Sequence, residues 1–345
     1  MEKQVIRVAL VGCGGVVSKY RGAYNGIDGA RVVAAVDANL AEAEKAAAEL
    51  GAERFSSDLA AALASDVDAV VISTPNHLHA QQACAAFHAG KHVLLQKPMA
   101  RTSEECAAIL KARNDSGMRL GVYMNLLEHP LFRDLRELIR GGHVGEVALF
   151  SARLAHRGGL SWPGVEGNWR ASRKATGGGS FIQLGVHYQH LMRWLTDQQV
   201  KRCQAMSTNF ACKHLEGDDV ALVQYELTGG TLGEIQTSWC CQEEHVSVLG
   251  TKGSFHYRDN EFVEFSGATG EFHGESLQFR GDGSVERMGP IVPPAWSDAS
   301  NPYNQHRRFI EALQRNEPCE VSGEEGMVDV RLVEEVYSSA EKAAR

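Results

Sequence analysis

Gly12-Cys13-Gly14-Gly15-Val16 follows a short apolar run and leads into a stretch that can open a helix. Glycine at 12 permits a tight turn. Glycine at 14 lets the backbone approach a pyrophosphate, whose charge a helix N-terminus favours. Val17 stands where the third glycine of the dinucleotide fingerprint usually lies. Glycine turns also follow strands for structural reasons alone, so the loop by itself leaves that reading open. Asp37 narrows it. It ends the second apolar run, 25 positions after Gly12. A carboxylate there accepts hydrogen bonds from the adenosine ribose and repels a 2′-phosphate. No arginine follows closely, so NAD is favoured over NADP. A solvated aspartate at a strand end is the plain alternative.

These residues need an open parallel sheet to position them, and the first 123 residues have that rhythm. Continuous apolar runs at 5–11, 32–36, 69–73, 93–95 and 120–123 suit strands buried on both faces. Stretches rich in helix formers lie between them at 40–50, 80–89 and 103–116. Thr102 and Glu105 have the spacing of a capping box. Alternation of this kind predicts a doubly wound α/β domain over 1–123. After residue 124, strand-like segments follow one another at 146–154, 200–210, 219–227, 232–240, 245–250 and 254–257, with a hairpin turn at Gly229-Gly230. Helices are expected at 130–140, 180–195, 303–315 and 326–344. An α+β domain over 124–345, with a large, mainly antiparallel open sheet, is the inference. The sequence assigns no element to 267–294.

Composition sets outer limits. Net charge is −8, from 35 basic and 43 acidic residues, which disfavours a nucleic-acid partner. No run approaches 18 apolar residues, so no membrane span is expected. The N-terminal stretch lacks a signal-peptide cleavage site. Eight scattered cysteines form no CxxC pair and read as reduced thiols, so a cytoplasmic protein is expected. His187 and His190, or His77 and His79, lack further ligands at recognisable spacing, so no metal is expected.

Three further stretches are specific: STPNHLH at 73–79, GKHVLLQKP at 90–98 and GGGSFIQLGVH at 177–187. With YNQHRRFIEAL at 303–313 and VSGEEG at 321–326, they resemble the Gfo/Idh/MocA oxidoreductases over nearly the whole chain. The resemblance implies an N-terminal Rossmann domain, and homodimers or homotetramers joined through the C-terminal sheet. It also implies hydride transfer between a carbohydrate-like alcohol and a nicotinamide. It places Lys97 and His187 as catalytic residues. An ammonium at a strand's carboxyl end can hold the reacting oxygen, and an imidazole can take the hydroxyl proton. Without the motif, a core histidine is the ordinary reading of His187. Ser73, Thr74, Asn76, His79 and Gln96 match the cofactor side. Gln183, Asn125, Trp169, Arg170 and Tyr123 are substrate-side candidates, with packing or loop bonding as the alternative for each.

The chain departs from the family at three positions. Gln96 replaces a glutamate and so removes a negative charge beside Lys97. Gln183 replaces an aspartate four residues before His187, one helical turn away. An amide can bind a hydroxyl but cannot accept its proton. Leu127 replaces an arginine, so an anionic anchor is missing there. The function expected is an NAD-dependent sugar or cyclitol dehydrogenase. The alternatives are a glycosidase-like enzyme that holds NAD and oxidises its substrate only transiently, and a regulatory protein without catalysis.

Overall fold

The computed structural model describes residues 5–258, 262–267, 270–273, 276–279, 285–289 and 298–343. The chain divides into two compact units: residues 1–128 with 294–330, and residues 129–293 with 331–345. Residues 294–330 thus belong to the first unit.

The first unit contains β1 (Ile6–Val11), α1 (Val17–Tyr20), β2 (Ala30–Val36), α2 (Leu40–Leu50), β3 (Arg54–Ser56), β4 (Ala69–Ile72), α3 (Asn76–His88), β5 (His92–Gln96), α4 (Ser103–Ser116) and β6 (Leu120–Tyr123). Its six strands are parallel in the order β3-β2-β1-β4-β5-β6, the doubly wound order expected of a dinucleotide-binding sheet. Val8, Leu10, Val32, Val71 and Leu94 fill its core. Asn39 caps α2, and Thr102 caps α4 by accepting from Glu105 N–H. The Glu105 carboxylate turns to the Arg101 N–H.

The second unit contains α5 (Pro130–Arg140), β7 (Val147–Ala155), α6 (Arg173–Thr176), a π-helical turn (Phe181–Gly185) and α7 (Val186–Thr196). Then come β8 (Val200–Thr208), β9 (Val220–Leu227), β10 (Leu232–Ser238), β11 (Glu243–Gly250), β12 (Ser254–Arg258), β13 (Phe262–Gly267) and β14 (Gly270–His273). Eight strands form one sheet, β14-β13-β12-β11-β7-β10-β9-β8. Only β7 and β10 run parallel. The β9–β10 turn uses Gly230 at φ +91°. Along β7 to β10, alternate residues such as Phe150, Ala152, Val223 and Ile235 are buried. Leu149, Leu232 and Met206 are 46%, 53% and 63% exposed on the other face.

A two-stranded pair follows, β15 (Ser276–Phe279) and β16 (Val285–Gly289), so part of the unassigned stretch is strand. Gly267 and β14 also fall in that stretch, and the remainder of 267–294 lies outside the described residues. Helix α8 (Gln305–Arg315) belongs to the first unit, and α9 (Gly323–Ala343) follows it. Among the described residues, no helix is long and apolar enough to cross a membrane. The eight cysteines are free thiols.

Candidate active site

In the first unit the glycine loop, Asp37, Ser73-Thr74 and Lys97 follow the carboxyl ends of β1, β2, β4 and β5. Ligands bind at that edge of an open parallel sheet. The three glycines are there for different reasons. Gly12 has φ +86°, and a Cβ on it would lie 2.8 Å from the Ser73 carbonyl carbon and oxygen. Its N–H donates to Val36 O at 2.8 Å. Gly12 therefore lets the loop cross the end of β4. Gly14 and Gly15 meet nothing within 4 Å, so a side chain would fill open space above the loop. That space fits a pyrophosphate approaching the backbone. The helix behind the loop is short, because α1 is one turn and gives way to a 3-10 stretch at Arg21–Gly26. Val17 is 1% exposed and packs into the core, which accounts for the missing third glycine. Val16 precedes it at the N-cap.

Asp37 does more than face solvent. One carboxylate oxygen accepts from Cys13 N–H at 2.6 Å, and the other from Asn39 N–H at 2.8 Å. It ties the glycine loop to the end of β2 and is only half-buried. Each oxygen keeps a second acceptor position, which suits a ribose diol. Burial, then the Asp37 charge, pushes the Cys13 thiol up to about 12, so it stays protonated and inert.

The 73–79 stretch differs from a simple cofactor loop. Helix α3 starts at Asn76, four residues before the expected start, with Pro75 as its cap residue. Asn76 is 2% exposed and His79 is fully buried. The His79 ring lies 2.9 Å from Thr74 O and 3.0 Å from Pro98 O. Burial lowers its pKa, partly offset by the carbonyls of Thr74 and Pro98. His79 thus clamps the turn after β4 to the turn after β5, and its ring has no surface to offer a cofactor. Thr74 donates to Gln82 at 2.6 Å. Gln96 folds back to accept from Lys97 N–H at 2.9 Å, and Lys97 itself is half-buried.

Tyr123 is also turned inward. It is 3% exposed, its hydroxyl donates to Glu128 at 3.2 Å, and its ring lies 4.8 Å from that of His306. Its side chain packs in the core of the first unit. Glu128 also accepts from Gln305 N–H at 2.8 Å, and Gln305 accepts from Met124 N–H at 2.6 Å. These buried bonds hold α8 in the first unit. Asn125 is half-buried, and Leu127 is fully buried.

In the second unit, His187 is the one residue between Gly185 and Arg193 that is not buried. It is half-buried, on a helix whose other residues up to Arg193 are core. Gln183 is 7% exposed and sits in the π-helical turn rather than in regular α-helix. Single π turns inside helices recur at functional sites. Asn168 caps the short 3-10 turn holding Trp169 and Arg170. The Arg170 guanidinium lies over the Trp169 ring at 4.5 Å, and burial lowers its pKa.

The family model described as an oxidoreductase family with an NAD-binding Rossmann fold matches residues 6–124. The GFO/IDH/MocA C-terminal domain matches residues 132–256. The chain is 27% identical to the inositol 2-dehydrogenase of Rhizobium meliloti strain 1021 over 349 residues, 98% of each chain. It is 31% identical to the 1,5-anhydro-D-fructose reductase of Ensifer adhaerens over 191 residues, 55% of this chain and 56% of that one. It also shares its fold with levoglucosan dehydrogenase in complex with NADH and levoglucosan. There the TM-score is 0.86 at 21% identity, covering 98% of this chain and 97% of that one. Matched in both its domains, over more than half of its length, the chain belongs to the GFO/IDH/MocA family of NAD-binding oxidoreductases.

Proposed function

We propose that the protein is an NAD-dependent dehydrogenase that oxidises a secondary hydroxyl of a neutral sugar or cyclitol. The observation that carries this reading is the pairing of two features. Open space stands over Gly14 and Gly15 beside the Asp37 carboxylate, and a half-buried His187 stands between fully buried neighbours on α7, one helical turn after Gln183. The names of the relatives, inositol, anhydrofructose and levoglucosan enzymes, supply the substrate class.

Gly12, Gly14, Gly15 and Val16 would hold the pyrophosphate, Asp37 the ribose, and Ser73, Thr74 and Lys97 the nicotinamide side. Bound NAD supplies the hydride acceptor. His187 takes the hydroxyl proton as the carbon is oxidised, and the Lys97 ammonium steadies the negative charge on that oxygen. Gln183 orients the substrate by hydrogen bonding and carries no proton. Trp169, Arg170 and Asn125 line the substrate side. Leu127, fully buried and apolar, supports a substrate without an anionic group at that point.

Two broader expectations belong to the same proposal. The protein forms homodimers or homotetramers through the sheet face that exposes Leu149, Leu232 and Met206. It works in the cytoplasm, where its eight free thiols stay reduced. The deciding experiment incubates the protein with NAD and a panel of sugars and cyclitols and follows NADH. Continuous NADH production supports the dehydrogenase. Tightly held cofactor with no net absorbance change, while a glycoside is cleaved, would replace it with the transient-oxidation enzyme.

A further inference from the structure

The three glycines at 177–179 look like a ligand loop, but the structure gives them another task. Gly177 ends α6 at φ +89°. A Cβ on Gly178 would overlap the Tyr337 ring, with Cε2 and Cζ at 2.5 Å, and one on Gly179 would overlap the Asp218 backbone. Gly217 sits 2.5 Å, Cβ to Cα, from Gly179 by the same measure. Small residues on both sides thus let Asp218 and Tyr337 close on the start of the π-helical turn.

The first N–H groups of a helix have no partner inside it. Here four N–H groups at the start of the turn find acceptors on Tyr337 and Asp218. Gly179 N–H donates to the Tyr337 hydroxyl at 2.9 Å and Ile182 N–H to the same oxygen at 3.3 Å. Ser180 N–H donates to Asp218 O at 2.7 Å, and Phe181 N–H to the Asp218 carboxylate at 3.0 Å. The Ser180 hydroxyl donates to that carboxylate at 2.8 Å and lies 2.8 Å from the Thr237 hydroxyl of β10. The Tyr337 hydroxyl, itself hydrogen-bonded to Asp218, uses both lone pairs and its proton. The Phe181 ring stands edge-on to Tyr337 at 6.5 Å and occupies the space that a Gly185 side chain would need.

We infer that Tyr337 is a positioning residue for the proposed reaction: with Asp218 it clasps the start of the π-helical turn and so sets where Gln183 and His187 stand. The inference rests on the reading of His187 given above. Tyr337 touches neither His187 nor substrate in this account; it acts through the helix it anchors. A local α-helical start, with one residue fewer per closed ring, would rotate Gln183 relative to His187. Losing two of the four anchors releases that choice. Misplacement of a reacting group by about 1 Å can cost on the order of a hundredfold in rate.

The test uses the full-length protein, NAD and a substrate found in the panel above. Tyr337→Phe keeps the ring and removes the acceptor of two N–H groups. It should lower kcat/KM roughly ten- to a hundredfold while the affinity for NADH stays parental. Ser339→Ala is the control on the same helix, where the hydroxyl accepts from Ala205 N–H at 3.1 Å. It should lower Tm without lowering kcat/KM. In a His187→Ala background, Tyr337→Phe should add far less than its own factor, because both act through the imidazole. Full multiplication, or a folded Tyr337→Phe enzyme with parental kcat/KM, overturns the inference while an inactive His187→Ala leaves the proposed chemistry standing. If Tyr337→Phe does not fold, Asp218→Asn keeps one acceptor oxygen and should show a smaller loss of the same kind. Parental turnover there would refute the clasp. A His187→Ala enzyme with parental turnover removes the chemistry and the inference together.

Discussion

Alanine at each glycine of the 12–15 loop should separate backbone need from cofactor need. At Gly12 the left-handed φ costs a side chain roughly 1–2 kcal/mol. Three backbone atoms of Ser73 and Thr74 within 2.9 Å of the new Cβ add an overpacking cost of about 1–3 kcal/mol. Gly12→Ala should therefore lose about 2–5 kcal/mol of stability, a Tm fall on the order of 5–15 °C for a unit of this size. Gly14 has no φ constraint and no neighbour within 4 Å. Gly14→Ala should leave the apo protein unchanged or stabilise it by about 0.4–1 kcal/mol, through the less flexible unfolded chain. Its cost should appear only with cofactor, as a weaker NADH Kd. The assay is thermal unfolding with and without NADH, together with NADH fluorescence titration. A Gly14→Ala protein that binds NADH with parental affinity would refute the claim that this glycine makes room for the pyrophosphate.

Asp37→Ala should raise KM for NAD and narrow the preference over NADP, measured as the ratio of the two kcat/KM values; a parental protein that prefers NADP would contradict the role of this carboxylate. Met206→Glu with Leu232→Glu should shift sedimentation towards the 37.6 kDa monomer; an unchanged oligomer would move the interface elsewhere. Burial lowers His306 to about 3 and His129 to about 4 from an ordinary 6.5. Such groups add stability above the unfolded pKa and lose it as pH falls towards the folded one. Tm should therefore drop between about pH 6.5 and 4, and a Tm flat over that interval would contradict neutral burial of both rings.

Much of the fold was legible in the sequence because parallel strands buried on both faces read as unbroken apolar runs. β1, β4 and β6 fall within one residue of the expected runs. β3 escaped notice, being three residues long and edge-placed with a polar Arg-Phe-Ser sequence. The early start of α3 was hidden because Pro75, Asn76 and two histidines are poor helix formers, although proline is well tolerated at a helix start. The return of α8 to the first unit depends on buried polar bonds from Glu128 and Gln305, which leave no periodic signal. In the candidate site, residue types single out Gly14, Asp37 and His187 as candidates but cannot separate a side chain free to meet a ligand from one that clamps the fold. His79 and Tyr123 carry groups suited to chemistry and spend them on carbonyls and on Glu128. Tyr337 and Asp218 gave no motif of their own. Their trace is the run of glycines they press against.

Turnover of His187→Ala and Lys97→Ala, with NADH affinity measured in parallel, decides whether these two side chains carry the proposed hydride-transfer chemistry. The two groups act on one substrate oxygen in the proposed reaction. General-base catalysis contributes about 10²–10⁴-fold, and a positioned charge roughly 10²–10³-fold. Each variant should fold, bind NADH and lose kcat by such factors, and the double variant should lose much less than the product. A His187→Ala enzyme that oxidises its sugar or cyclitol at near-parental kcat would contradict the account.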